Sequence, residues 1–103
     1  MIIRGGENIY PVEIENVLAR HPAVAGVAVF GLADAYYGEI VAAAVRLRHA
    51  ASSGELAEYC AARIARFKVP ARFFAVSEFP LNASGKILKR ELKEMSGALE
   101  QLS

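Results

Sequence analysis

A chain of 103 residues is long enough for one self-supporting hydrophobic core and too short for two domains. Its hydrophobic fraction of 54% and its net charge of +1 argue against a disordered chain and against a broad nucleic-acid-binding surface. No apolar run approaches the ~20 residues that span a bilayer, and Met1–Arg4 is too short for a signal peptide. Composition therefore predicts one soluble domain with no transmembrane segment and no nucleic-acid partner.

Cys60 is the only cysteine in the chain. A single thiol excludes an intramolecular disulfide and a cysteine-cluster metal site, so we expect no metal centre. A free thiol is compatible with a reducing cytosol and is more often buried on a helix face than reactive. We therefore expect a cytoplasmic protein in which Cys60 has a packing role.

The N-terminal half begins with a predicted hairpin and helix. Apolar residues alternate over Ile2–Ile9 and are interrupted by Gly5 and Gly6, which favours a short hairpin or a loop between two extended pieces. Pro11 suits the first position of a helix, and an apolar stripe continues this helix to about Arg20.

Two strands are predicted next. Val24–Phe30 is apolar on both faces and indicates a covered strand, whereas Ile40–Arg48 alternates as a half-exposed strand does. We expect these strands to be antiparallel neighbours joined by a loop over Gly31–Glu39.

The C-terminal half predicts a second helix, a strand and a third helix. Ser52 and Glu55 form a capping box, so a helix should begin there and end before Pro70, with Ile64 and Phe67 on its apolar side. The remaining predictions are a strand at Arg72–Ser77, a loop at Glu78–Lys86, a helix at Lys89–Met95 and no clear signal over Gly97–Ser103. The fold class is α+β: a small sandwich of a roughly three-stranded sheet with helices packed on it, plus an N-terminal β-hairpin.

The predicted loop before the last helix carries one lysine. Asn82, Ser84 and Gly85 favour turns, so the stem of Lys86 should project from a turn where its ammonium can reach an anion. The segment is not a P-loop, because Pro80 replaces its first glycine and an isoleucine replaces its magnesium-binding hydroxyl. Local sequence by itself favours a solvated surface lysine.

Glu13 and Glu15 form a second polar pattern, on the first predicted helix. Carboxylates two positions apart on a helix do not share a face, so they are not the carboxylate pair of a hydrolase. We expect them to complement the helix dipole and to lie at the surface.

Two segments at opposite ends of the chain give a more specific interpretation. Gly5–Glu15 has the sequence G-G-E-N-I-Y-P-V-E-I-E, and Pro80–Arg90 has the sequence P-L-N-A-S-G-K-I-L-K-R. Together they closely resemble two signatures of the C-terminal domain of the adenylate-forming acyl-CoA synthetases. Gly31–Glu39 and Phe67–Pro70 are similar to two further landmarks of that family. Four motifs in one order, between about Ile2 and Met95, are far more specific than any one of them.

The resemblance implies that residues 1–103 are an excised, mobile domain of an ATP-dependent acid–CoA ligase of the fatty-acid type. Such enzymes form an acyl-adenylate and pyrophosphate from a carboxylic acid and ATP, and then transfer the acyl group to coenzyme A (CoA). A larger N-terminal domain is the partner, and it holds most of the substrates and the Mg²⁺ that accompanies ATP. The C-terminal domain closes over it in two orientations, one for each half-reaction. By itself the domain should be inactive.

The same resemblance implies roles for individual residues. Lys86 matches the lysine that stabilises charge during adenylation. Gly5, Gly6 and Glu7 match the loop that lines the tunnel for the pantetheine arm of CoA. For the nucleotide end of CoA, the corresponding candidates are Tyr36 or Tyr37, Arg66, Phe67 and Lys68.

Two alternatives remain open at the level of sequence. One is an adenylation domain that loads a carrier protein, although the segment around Gly5 and Gly6 favours a CoA ligase. The other is a stand-alone binding module without chemistry, which a domain of this size could be. The acid itself is not predicted, because the acyl pocket belongs to the larger domain.

Overall fold

The computed structural model of the protein describes all residues from Met1 to Ser103. The chain begins with the predicted hairpin, formed by strands β1 (Ile2–Arg4) and β2 (Glu7–Ile9). Gly5 and Gly6 make its turn with φ angles of 55° and 86°, in the left-handed region that side chains disfavour. The glycine pair is therefore a structural requirement of this turn.

Helix α1 (Pro11–Leu18) starts at its proline, as predicted, but ends before Arg20. The amides of Arg20 and His21 donate to the carbonyls three residues earlier, so the helix tightens into a final turn ahead of Pro22. Ile14 and Leu18 are fully buried beneath the helix.

Strands β3 (Val24–Asp34) and β4 (Gly38–Leu47) form one long antiparallel hairpin. The predicted loop over residues 31–39 is wrong, because only residues 35–37 connect the strands. Gly31 lies inside the ladder, where an added Cβ would stand 2.5 Å from the carboxylate of Glu39. This glycine allows close packing and does not end a strand.

The centre of β4 is buried on both faces, contrary to the predicted half-exposed strand. The strand pairs with β1, with β3 and with β5 (Arg72–Ala75), and the last of these pairs is parallel. Its three consecutive alanines, residues 42–44, leave room for larger side chains from neighbouring elements on each side.

Helix α2 (Ser53–Ala61) has the predicted capping box but ends well before Pro70. Ala65 is extended, and a single 3₁₀ turn at Arg66–Lys68 follows. Ile64 and Phe67 both pack against the same core as α2, from outside the helix. Their helical spacing reflects shared burial, which is why the pattern predicted a helix that is too long.

The chain ends with α3 (Lys89–Met95), as predicted, and with β6 (Glu100–Gln101), which was not predicted. Strand β6 pairs with β5, so the sheet has six strands, including the N-terminal hairpin. Helices α1 and α2 cover one face over a core that includes Ile14, and α3 covers the other through Leu92. The α+β class is confirmed, and none of the helices is long and apolar enough to cross a bilayer.

Candidate functional site

The loop that carries Lys86 is a closed hairpin. Leu81 and Ile87 form an antiparallel bridge, and the amide of Asn82 donates to the carbonyl of Lys86 at 2.9 Å. The side-chain oxygen of Asn82 accepts hydrogen bonds from the amides of Ser84 and Lys86, at 3.0 and 2.9 Å. Gly85 completes the turn with a φ of 85°. The loop is therefore internally ordered by its own residues.

The Lys86 side chain is exposed and belongs to no ion pair. It borders an open hollow of about 520 Å³ that is also lined by Glu15, Val27 and Lys89. An unpaired ammonium on an ordered turn is available to an anion that approaches from outside the domain.

The glycine turn of the first hairpin is attached to the tip of the β3–β4 hairpin. The amide of Gly5 donates to the carbonyl of Tyr37 at 2.8 Å, and the Arg4 guanidinium lies 3.9 Å from the centre of the Tyr37 ring. Gly6 has no atom within 4 Å of the position that a Cβ would take, and Glu7 is exposed. This turn therefore presents bare backbone to its surroundings.

The tip itself is held by Asp34. Its carboxylate accepts hydrogen bonds from the amides of Tyr36 and Tyr37, at 3.1 and 2.8 Å. The Tyr36 side chain is 85% exposed and meets Tyr37 edge to face, with ring centres 4.7 Å apart. Tyr37 therefore flanks the glycine turn, and Tyr36 contacts the Tyr37 ring.

The three basic and aromatic candidates on the 3₁₀ turn have different environments. Arg66 is exposed, whereas Phe67 packs against the core. The Lys68 ammonium is paired with Glu13 at 2.7 Å. Of the two basic side chains, Arg66 has no ion-pair partner in the domain, whereas Lys68 has one.

The lysine loop and the glycine turn lie at opposite ends of the β3–β4 hairpin. Lys86 shares its hollow with Val27, while Gly5 bonds to Tyr37 next to the last pair of the ladder, Asp34 and Gly38. Val27 and Asp34 are seven residues apart in β3, which at ~3.4 Å per residue is a separation of roughly 24 Å along the strand. The two loops therefore contact well-separated parts of β3 and of the β3–β4 tip.

Sequence reasoning missed the partners of the α1 carboxylates. Glu13 pairs with Lys68, and Glu15 pairs with Lys89 at 2.9 Å while accepting the amide of Val29 at 2.8 Å. Each partner is distant in sequence, so the sequence offered only the presence of opposite charges and not their pairing.

No group of three histidine, cysteine, aspartate or glutamate side chains is placed to hold a metal ion. Cys60 is fully buried, and burial raises the pKa of its thiol from 9.0 to about 11, although the nearby Arg63 charge opposes this shift. The thiol stays protonated at neutral pH and is not a nucleophile here.

Comparison with known proteins identifies the family. Residues 13–86 match the model of the AMP-binding enzyme C-terminal domain. The chain belongs to this family. Over 94 residues it is 48% identical to a 2-succinylbenzoate–CoA ligase of Bacillus subtilis, and over 99 residues it is 46% identical to a long-chain-fatty-acid–CoA ligase of Mycobacterium tuberculosis. These matches cover 91% and 95% of this AMP-binding enzyme C-terminal domain, which spans 19% and 20% of the two relatives.

Solved structures show the same fold. A fatty acyl-CoA synthetase of Mycobacterium tuberculosis superposes with a TM-score of 0.89 at 46% identity, over 95% of this chain and 20% of that one. An o-succinylbenzoate–CoA synthetase of Bacillus subtilis, in complex with its acyl-adenylate intermediate, gives 0.86 at 49% identity, over 89% and 19%. The domain thus has the fold of the C-terminal part of acyl-CoA ligases.

Proposed function

We propose that this chain is the mobile C-terminal domain of an AMP-forming acid–CoA ligase, and that its two motif loops serve two successive half-reactions. The separation of these loops along the β3–β4 hairpin is the observation that supports the proposal most directly. If both loops act on one site, the domain must reorient between the steps. The chain spans about a fifth of the relatives it matches, so the rest of the site belongs to an N-terminal partner domain.

Lys86 is the catalytic residue of the first half-reaction in this proposal. A carboxylate oxygen attacks the α-phosphorus of ATP, and the bond to pyrophosphate breaks, which leaves an acyl-adenylate. The carboxylate is already ionised, so Lys86 acts by charge and not as a base. A unit charge at ~4 Å and an effective dielectric of ~20 contributes about 4 kcal/mol. That energy corresponds to a rate effect on the order of a thousandfold.

Gly5, Gly6 and Glu7 line the path of pantetheine in the second half-reaction. The CoA sulfur attacks the acyl carbon, AMP leaves, and the thiol proton is lost. Pantetheine is a thin chain with amide groups, so a turn without side chains can approach it closely. The open space beyond Gly6 is consistent with such an approach.

The candidate contacts to the nucleotide end of CoA differ in whether their side chains are free of partners in the domain. Tyr37 or the exposed Tyr36 offers a ring next to the glycine turn, and Arg66 offers an unpaired charge. Phe67 packs against the core, and Lys68 would have to break its ion pair with Glu13 before it could bind a phosphate. We therefore place Arg66 ahead of Lys68 in this role.

The substrates of the proposed enzyme are ATP, CoA and a carboxylic acid, with Mg²⁺ held together with ATP by the N-terminal domain. A fatty acid remains our prediction for the acid, in a cytoplasmic enzyme. However, relatives named for an aromatic acid and for long-chain fatty acids match this domain almost equally well. The domain therefore carries little information about the acid.

The test is to assay the full-length protein with ATP and a panel of acids, offering either CoA or a phosphopantetheinylated carrier protein as acceptor. We expect acid-dependent pyrophosphate release and a CoA thioester. Acyl transfer to the carrier protein alone would favour the carrier-loading alternative.

Purified residues 1–103 should release no pyrophosphate with any acid, because one wall of the site cannot bind all the substrates. Turnover by the isolated domain would contradict the proposal that an N-terminal domain supplies the rest of the active site.

A further inference from the structure

One carboxylate oxygen of Glu15 joins three elements of the fold. Oε2 accepts the amide hydrogen of Val29 in β3 at 2.8 Å and lies 2.9 Å from the ammonium of Lys89, the first residue of α3. The Glu15 side chain is 21% exposed, so solvent competes only partly for these contacts. Charge-assisted hydrogen bonds of this kind are stronger than neutral ones.

The contact with Val29 has a structural reason. Strand β3 pairs only with β4, so its other edge has no strand partner. Val29 is fully buried, and a buried amide without an acceptor is costly. Glu15 supplies that acceptor, which keeps its carboxylate at a defined position beside the edge of β3.

The contact with Lys89 connects that position to the lysine loop. Only Ile87 and Leu88 separate Lys89 from Lys86, and the amide of Leu88 donates to the carbonyl of Pro80 at 2.8 Å. The loop is ordered by its own hydrogen bonds, and α3 begins directly after it. Phe79 and Ile87, at the two ends of the loop, pack against the core, and the ion pair at Lys89 adds a polar contact where α3 begins.

We propose that Glu15 is a positioning residue for Lys86. By holding Lys89 against β3, it fixes the direction in which the lysine loop leaves the domain, and so places the Lys86 ammonium for adenylation. The inference rests on the proposed role of Lys86. The segment Gly5–Glu15 then acts in both half-reactions. Its glycine turn lines the pantetheine path during thioester formation, and its Glu15 positions Lys86 for adenylation.

The test uses the full-length enzyme with Glu15→Gln and Lys89→Met, singly and together. Glutamine keeps an acceptor for the Val29 amide but loses the charge, and methionine keeps the apolar stem of the lysine. We expect each single variant to lower the adenylation kcat about tenfold, since small displacements of a catalytic group are costly. The double variant should lose no more than either single one, and Lys89→Arg should retain most of the rate. Thioester formation from supplied acyl-adenylate should not change.

Glu13→Gln is the matched control, because it removes a comparable ion pair from the same helix, away from the lysine loop. It should leave adenylation unchanged. Equal losses in both half-reactions, accompanied by a lower Tm, would show that Glu15 has only a structural role. Lys86→Ala separates the two proposals: if it impairs adenylation and Glu15→Gln does not, the positioning role alone is wrong. If Lys86→Ala is itself without effect, the proposed function fails first.

Discussion

The amide of Gly5 donates a hydrogen bond of 2.8 Å to the carbonyl of Tyr37, so the turn of the first hairpin is attached to the tip of the second. Tyr37 is in turn held by the carboxylate of Asp34. The glycine turn is therefore connected through Tyr37 to Asp34, which has no role in the proposed chemistry.

Asp34→Ala should destabilise the domain by about 1–2 kcal/mol, because two tyrosine amides lose their acceptor at the tip. Asp34→Asn retains an acceptor oxygen and should cost less. Urea unfolding of residues 1–103 measures both values. Equal stability of Asp34→Ala and the wild type would mean that water replaces the carboxylate without cost.

Gly6→Ala and Gly6→Leu together separate backbone strain from obstruction. The φ of 86° penalises both side chains by about 1–2 kcal/mol, and neither meets an atom of the domain at its Cβ. Stability should therefore fall by similar amounts in both. In the full-length enzyme, only Gly6→Leu should strongly slow thioester formation, because its longer side chain projects into the proposed pantetheine path. Equal slowing by alanine and leucine would indicate strain and not obstruction.

Cys60 should make the stability of the domain fall at alkaline pH. The unfolded thiol ionises near pH 9.0, whereas the folded thiol keeps its proton to about pH 11. Below pH 9 the thiol is protonated in both states and has no effect. As the pH rises from 9 to 11, the unfolded state alone loses the proton and is stabilised, so the free energy of unfolding decreases.

Comparing urea unfolding of wild type and Cys60→Ala across this range isolates the thiol. The variant should be less stable at pH 7, because it leaves a small cavity, but it should lose less stability between pH 9 and 11. A thiol reagent should react with the wild type only in denaturant. Identical pH dependence in both proteins would show that the thiol is not desolvated.

Local signals predicted the parts of this fold that depend on neighbouring residues. The proline that starts α1 and the capping box of Ser52 and Glu55 each act within one helical turn, and both appear as expected. The end of α2 was mispredicted because Ile64 and Phe67 join the core from outside the helix. Periodicity records which side chains are buried and not which segment brings them there.

The candidate site was predictable only through its motifs. Lys86 and the glycine pair were found because they match the family pattern, whereas their separation along a hairpin depends on strand register. The contacts of Glu15 were missed for a similar reason, since its partners Val29 and Lys89 lie on other elements. Spacing within α1 indicates which face a side chain occupies, but not what meets that face.

Separate measurement of the two half-reactions in full-length wild type, Lys86→Ala and Gly6→Leu tests the central claim most directly. Acid-dependent pyrophosphate release reports adenylation, and thioester formation from supplied acyl-adenylate and CoA reports the second step. We expect Lys86→Ala to lose on the order of a thousandfold in the first and almost nothing in the second. Gly6→Leu should show the reverse pattern. Comparable losses in both steps for either variant would contradict the assignment of the two loops to separate half-reactions.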